Sequence, residues 1–333
     1  MEKIKLAIIG YGAMSELYHL PAAMNSDNVE VVGVYDLNQD RLETMVGNFQ
    51  IPYYGSDYRK DIQNFDAAIV AVPNFLHAEI SVDLMKNGKH VLVEKPMGLS
   101  YYECQEMLEV SQKENVILSV GHVRKLYPEN IFIKRLIENR ILGEVSEVII
   151  NEGNIFSWPM ASKSFLDKKV CGGGVLVDIG IHIIDLLAWW FGELECIEYF
   201  DDSFGGVESD CSFRLSAKIS SRISVLISRQ RLLPNKIKII FEKGMLTCGT
   251  GFNSKLSLIP NDDLGYSFLG MIKTNKNYDS FETIIREQID NFACSIFKKE
   301  NDIEAVKSAM KAVEIVEACF NNKKQINYNW ETV

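Results

Sequence analysis

The sequence predicts an α/β fold in its first part and an α+β fold after it, and three observations carry that reading. Over the first 120 residues, short β-branched runs alternate with helical patterns, the order that builds a parallel sheet from βαβ units. From 197 to 259, segments such as Cys211-Ser-Phe-Arg-Leu-Ser-Ala-Lys-Ile and Arg222-Ile-Ser-Val-Leu-Ile-Ser-Arg alternate apolar and polar residues. Antiparallel strands with one face in water do this. The length of 333 residues exceeds a single domain's usual size. We therefore expect a doubly wound parallel sheet over residues 1–125 and an α+β domain with a mostly antiparallel open sheet over 126–333, its last helices able to pack back on the first domain.

In chain order, the first domain's strands are expected at 4–9, 29–35, 66–72, 90–93 and 116–120. Helices at 13–24, 39–47, 75–86 and 100–113 separate them, the last with Ser100 as N-cap and Glu103 as its capping-box partner. A helix at 130–139 and a turn at Gly143 lead into a strand at 145–150 and a long loop containing Trp158-Pro159. Gly172-Gly173-Gly174 then opens an apolar helix over 176–190, and amphipathic helices at 280–297 and 302–320 close the chain. A cleft between the two domains is the expected ligand site.

Composition narrows the function. With 47% hydrophobic and 24% charged residues the chain should fold. Its 35 basic against 45 acidic residues give a net charge of −10, which argues against nucleic acid and anionic membrane as partners. A phosphate-bearing small ligand stays possible, because a helix N-terminus binds anions through backbone N–H groups. The seven cysteines are an odd number, scattered and without a CxxC pair, so reduced, mostly buried thiols are expected and a zinc site is not. The apolar run at 6–9 is too short for a signal peptide, and His182 and Asp185 interrupt the longest apolar region, so no membrane span and a cytoplasmic location are expected.

Gly10-Tyr11-Gly12-Ala13-Met14-Ser15 follows the first strand and opens the first helix. Gly10 allows the tight turn, Gly12 lets backbone approach a pyrophosphate, and the helix N-terminus faces its charge. Ser15 stands where the third glycine or alanine of that pattern belongs. Asp36 ends the second strand, 24 residues beyond Gly12, where a carboxylate accepts hydrogen bonds from an adenosine ribose. The same carboxylate repels the extra phosphate of NADP, Leu37 and Asn38 add no cation, and Arg41 compensates in part, so NAD is favoured over NADP.

Glu94-Lys95-Pro96 ends the fourth strand, where open α/β sheets place ligands, and Lys95 could hydrogen-bond a substrate hydroxyl and carry its proton. Asp178 and His182 lie four apart in an otherwise apolar helix, with Asp185 three further on. Ionisable groups there need partners or a ligand. Catalysis, a satisfied core pair, and two ligands of a metal short of a third ligand are the readings that stand at this point.

Gly10-x-Gly12, Asp36, Ala71-Val72-Pro73-Asn74 with His77, Glu94-Lys95-Pro96 and Gly-Gly-Gly-x-x-x-Asp178-x-Gly-x-His182-x-x-Asp185 together resemble the glucose-fructose oxidoreductase / inositol dehydrogenase / MocA family, in order from residue 4 to 190. The resemblance implies an NAD(P)-dependent oxidoreductase acting on sugars, cyclitols or nucleotide sugars, without a metal. It implies His182 as general base, Lys95 polarising the same oxygen and relaying the proton, and Asp178 orienting substrate. Val72, Pro73, Asn74, His77 and Glu94 would line the cofactor, with Tyr11, Ala13, Met14 and Leu37 beside its phosphates and ribose. Arg124 would face substrate; the loop around Trp158, where the chain departs from the family, suggests that Trp158 either walls the substrate or anchors an interface. Ser164-Phe165 replaces the family's Trp-Arg. A homodimer or homotetramer is expected. Rival readings are a sugar lyase or hydrolase with transient oxidation by bound NAD, a catalytically silent NAD-binding protein, and a metal-dependent isomerase using Asp178, His182 and Asp185.

Overall fold

The computed structural model describes residues 2–157, 167–217, 222–261, 267–274 and 278–326. These divide into two compact units, residues 2–123 with 278–310, and the described residues of 124–274 with 311–326.

The first unit is built on a six-stranded, all-parallel sheet. Its strands are β1 (Ile4–Ile9), β2 (Val29–Tyr35), β3 (Tyr53–Gly55), β4 (Ala67–Val70), β5 (His90–Val93) and β6 (Leu118–Val120), in the order β3-β2-β1-β4-β5-β6. The order reverses at β1 and β4, and such a switch point leaves a crevice at the strands' C-terminal ends. The unit's helices are α1 (Leu20–Met24), α2 (Gln39–Asn48), α3 (His77–Lys86) and α4 (Tyr101–Lys113), and α4 starts on the predicted Ser100–Glu103 capping box. Three-residue β3 was not expected, since so short a segment shows no alternation, and the strands expected at 66–72 and 116–120 are shorter by two or three residues.

In the second unit, α5 (Pro128–Glu138) leads to β7 (Val145–Gly153), and the short α6 (Lys168–Cys171) precedes α7 (Ile181–Phe191). Strands β8 (Leu194–Asp201), β9 (Asp210–Ala217), β10 (Ile223–Ser228), β11 (Lys236–Phe241), β12 (Gly244–Gly249), β13 (Leu256–Pro260) and β14 (Phe268–Gly270) follow. With β15 (Lys323–Gln325) they form a nine-stranded sheet, β14-β13-β12-β11-β7-β10-β9-β8-β15, antiparallel except for β7–β10 and β8–β15.

The last helices are α8 (Phe281–Lys298) and α9 (Ile303–Asn321). Helix α8 packs on α1 in the first unit: the Tyr18 and Phe281 rings meet edge-on at 5.0 Å, and the Asp290 carboxylate accepts from Ser26 and Asn28. Asn301 clamps strand β6 by accepting from the Leu118 amide and donating to the Val116 carbonyl.

By length and composition the stretch Lys168–Phe191 is, against expectation, apolar enough to cross a membrane. Its lone acids and histidine are too few to lower its mean hydropathy of 1.8, yet most of it is buried as a core helix. No disulfide joins the cysteines, five of which are buried.

His90, at the start of β5, accepts the Ile117 amide on Nδ1 at 2.9 Å, and burial lowers its pKa below the ordinary histidine value. The unfolded chain therefore takes up a proton near pH 6.5 that the folded unit refuses, so stability falls as pH drops through that region. Urea midpoints between pH 7 and 5 should drop less steeply in His90→Gln than in the wild type, and equal slopes would contradict this linkage.

Candidate active site

In the first unit the turn after β1 is set by a close approach. Gly10 has φ +93°, and a Cβ there would lie 2.3 Å from the Ala71 carbonyl oxygen. A Cβ on Gly12 would meet nothing within 4 Å, so the turn has open space where a phosphate group can reach backbone. Ser15, the departure from the glycine pattern, is fully buried and donates its hydroxyl to the Gly10 carbonyl at 2.6 Å, locking the turn. The helix expected at 13–24 contains a π-helical turn, Ser15–His19, before α1.

Asp36 accepts the Tyr11 amide at 2.6 Å on one oxygen and the Asn38 amide at 2.8 Å on the other, which fixes its carboxylate at the end of β2 beside the glycine turn. Arg41 donates to the Tyr11 carbonyl at 3.0 Å, and with Tyr11, Asn38 and Thr44 it lines a cavity of about 280 Å³. Leu37 is exposed, as is Pro73, whereas Ala13, Met14, Val72 and Asn74 are half-buried.

Glu94 is anchored from two sides: His19 Nε2 lies 2.9 Å from one carboxylate oxygen and the Lys95 amide donates to the other. Burial pushes the Glu94 carboxyl up, but His19 and Lys95 outweigh it and hold it below the usual carboxylate range. Lys95 itself is half-buried and precedes a cis peptide bond to Pro96. His77 is buried, with Nδ1 2.6 Å from the Pro96 carbonyl and Nε2 2.9 Å from the Val72 carbonyl, so its ring ties the ends of β4 and β5 together.

In the second unit the helix that carries Asp178 and His182 begins under equal constraint. A Cβ at Gly174 would sit 1.8 Å from the Glu208 carbonyl oxygen, and that carbonyl accepts the Val175 amide. The buried Glu208 side chain accepts the amides of Gly174 and Leu176. Residues Leu176–Gly180 form a π-helical turn and run into α7, where a plain α-helix was expected. Between 175 and 190 every side chain is buried except Asp178, His182 and Trp189, so the predicted pair reaches out of an apolar helix.

The acids of this region are matched one by one. Arg124 makes a bidentate pair with Glu152, both contacts 2.7 Å, and Lys125 pairs with Asp185 at 2.7 Å with Asp185 only 1% exposed. Asp185 is thus a core ion-pair partner. Asp178 pairs with Arg229, whose guanidinium carbon lies 5.4 Å from the centre of the Phe156 ring, a cation–π distance. Among the described residues no three metal-ligating side chains stand together.

Sequence reading missed Glu152, Lys125, Glu208 and Arg229, whose partners lie 28 to 60 residues away. The only local signal was polarity at strand ends in a segment otherwise built for burial. Trp158, Ser164 and Phe165 lie outside the described residues.

A parallel sheet with a glycine turn against a strand-end carboxylate, joined in one chain to a unit with an apolar helix carrying Asp-x-x-x-His, defines the class of dinucleotide-binding oxidoreductase folds. Residues 4–122 match the family described as "Oxidoreductase family, NAD-binding Rossmann fold", and residues 131–247 match the GFO/IDH/MocA C-terminal domain. The chain belongs to the Gfo/Idh/MocA family.

Glucose-6-phosphate 3-dehydrogenase of Bacillus subtilis is 34% identical over 204 residues, 58% of this chain and 55% of that protein. The rhizopine catabolism protein MocA of Rhizobium meliloti is 27% identical over 195 residues, 58% of this chain and 59% of that protein. The match thus spans little more than half the length of these curated relatives. Among solved structures, the 3-ketoreductase KijD10 of Actinomadura kijaniata, in complex with NADP and TDP-benzene, aligns with TM-score 0.84 at 18% identity over 98% of this chain and 100% of that one. An aldose-aldose oxidoreductase of Caulobacter crescentus complexed with glycerol aligns with TM-score 0.84 at 21% identity, over 96% and 97%. At these identities they attest the fold.

Removing one partner of a buried ion pair strands the other charge, at a cost of about 3–5 kcal/mol. Glu152→Ala should therefore lower unfolding free energy in urea by about that amount, whereas the double replacement Arg124→Met/Glu152→Leu should cost much less. Equal losses in the two variants would refute the pairing.

Proposed function

We propose that the protein is an NAD(P)-dependent oxidoreductase that moves a hydride between nicotinamide and a hydroxyl-bearing or keto carbon of a sugar, cyclitol or nucleotide sugar, with NAD preferred. The observation that carries the reading is the exposure pattern of the apolar helix, in which Asp178 and His182 alone among its acids and bases reach outward. The named activities of the sugar-acting relatives support it.

The residues of the first unit suit the cofactor. The unobstructed Gly12 face and the amides of the following turn would receive the pyrophosphate, and the Asp36 carboxylate would accept from the adenosine ribose. When bound, nicotinamide supplies hydride acceptance or donation. In the alcohol-oxidising direction His182 takes the hydroxyl proton as general base, the Lys95 ammonium polarises the same oxygen and relays the proton, and Asp178 orients the substrate. In the reducing direction the proton returns by the same groups.

We further assign the protein to the cytoplasm and to a homodimer or homotetramer. A groove of about 310 Å³ on the open face of the nine-stranded sheet, lined by half-exposed residues including Ile149, Phe200 and Leu226, supports self-association. Carbohydrate is the expected partner, with neither nucleic acid nor membrane.

A screen of sugars, cyclitols and nucleotide sugars with NAD should produce NADH absorbance for at least one. Lys95→Ala and His182→Ala should each lose about 100-fold or more of that turnover while binding NAD(H) within a few-fold of wild type. Full turnover in either would refute the mechanism. Product formation with no free NADH would instead mark a lyase or hydrolase cycle on retained cofactor.

Cofactor choice follows from charge at one position. Asp36→Ser should shift the ratio of NAD to NADP affinity toward NADP by about 10-fold or more, close to 1.4 kcal/mol. Titration of protein fluorescence with each dinucleotide measures it, and an unchanged ratio would remove Asp36 from the selection.

A further inference from the structure

Arg124 was the basic residue expected to serve the substrate, but Glu152 holds it in a bidentate pair through one N–H of each Nη. The cation that reaches Asp178 comes instead from the loop after β10. Arg229 donates through Nη2 to the Asp178 carboxylate, and its guanidinium carbon lies 5.4 Å from the centre of the Phe156 ring. Its Nε is buried without a hydrogen-bond partner among the described residues. A desolvated donor left unmade costs about 1–3 kcal/mol, so stability alone is a poor reason for an arginine here. The backbone fixes the arginine's origin: the Arg229 amide donates to the Ser209 carbonyl, next to Glu208, which caps the helix that bears Asp178.

From this geometry, and resting on the function proposed above, we infer that Arg229 is the positioning residue of the site: it keeps the Asp178 carboxylate ionised and aimed while His182 exchanges the proton. Among the described residues, the charged groups shown in this region are Arg229 from the β10 end, paired with Asp178, Arg124 from the turn before α5, which interacts electrostatically with it, Glu152 behind Arg124 on β7, Glu208 at the head of the same helix, and His182 one turn along. Arg124 is hydrogen-bonded to Glu152, and among the described residues Arg229 is the guanidinium shown paired directly with Asp178. Its planar fork fixes direction as well as charge, which a lysine does only in part.

The test separates positioning from a structural role. In Arg229→Ala the acid limb of the kcat profile should move up by about one pH unit or more, because a carboxylate without its guanidinium protonates more easily. At the pH optimum kcat should fall about 10-fold or more with KM changed less, and NAD(H) affinity should stay within a few-fold. Arg229→Lys should restore part of the loss, and added guanidinium should raise turnover of Arg229→Ala but not of wild type. An unchanged acid limb and unchanged kcat in folded Arg229→Ala would overturn the inference. Carbon-13 NMR of the Asp178 carboxyl, assigned with Asp178→Asn, gives a readout that needs no turnover. A titration midpoint that rises in Arg229→Lys or Arg229→Ala supports the inference, and one that stays put overturns it. Failure of the oxidoreductase reading would show separately, as absent hydride exchange in wild type with the Asp178 titration still dependent on Arg229.

Discussion

The second unit depends on keeping charge balanced around one apolar helix. Burying an ion alone costs several kcal/mol even after the surroundings relax, so Asp178, Asp185 and nearby Glu152 are each met by a cation, and Glu208 by backbone amides. Two neighbours in the turn before α5 divide the work, with Arg124 going to Glu152 on β7 and Lys125 to Asp185 on α7. Asp178 takes its cation from a third element, through Arg229. The three pairs thereby fasten the helix, the turn before α5 and the ends of β7 and β10 to one another. The same balance distinguishes structure from chemistry: Asp185 is sealed with its lysine, whereas Asp178 and His182 keep part of their surface open.

In each unit the candidate residues follow a helix start at which the chain passes too close for a side chain. Gly10 lies against the Ala71 carbonyl and Gly174 against the Glu208 carbonyl. At each start a hydroxyl or carboxylate closes the turn: Ser15 on Gly10, and Glu208 on the amides of Gly174 and Leu176. Close approach and local hydrogen bonding set these helix origins, so side chains four residues on are delivered with little freedom.

Residues that act through their neighbours in sequence were legible. The glycine turns, Asp36, Glu94-Lys95-Pro96 and the Asp178/His182 pair all announce themselves by spacing or by polarity in an apolar run, and the Ser100 capping box was read to the residue. The parallel sheet followed from the alternation of strand and helix patterns, whereas three-residue β3, β14 and β15 left no pattern to read. Long-range partners were not legible. Arg229 is 51 positions from Asp178, and nothing around Ser228-Arg229-Gln230-Arg231 distinguishes an inward arginine from a solvated one. Arg124 had the opposite fault: its position advertised a substrate contact, and only the fold reveals its bidentate pair with Glu152.

The two π-helical turns among the described residues, Ser15–His19 and Leu176–Gly180, show how one backbone device serves two ends. Each follows a glycine turn, and helical periodicity in the sequence does not distinguish it from a plain α-helical turn. A π turn widens the helix by one residue and is unstable on its own, so it persists where side chains at that spot gain from the shift, often at functional sites. In the first unit the residues four apart, Ser15 and His19, both turn fully inward, to the Gly10 carbonyl and to Glu94. The turn there stiffens the base under Lys95. In the second unit the residues four apart, Asp178 and His182, both stay partly open among buried neighbours. Inward pairing holds a scaffold and outward pairing presents reactive groups; the sign of burial, rather than the motif spacing, tells the two histidines apart.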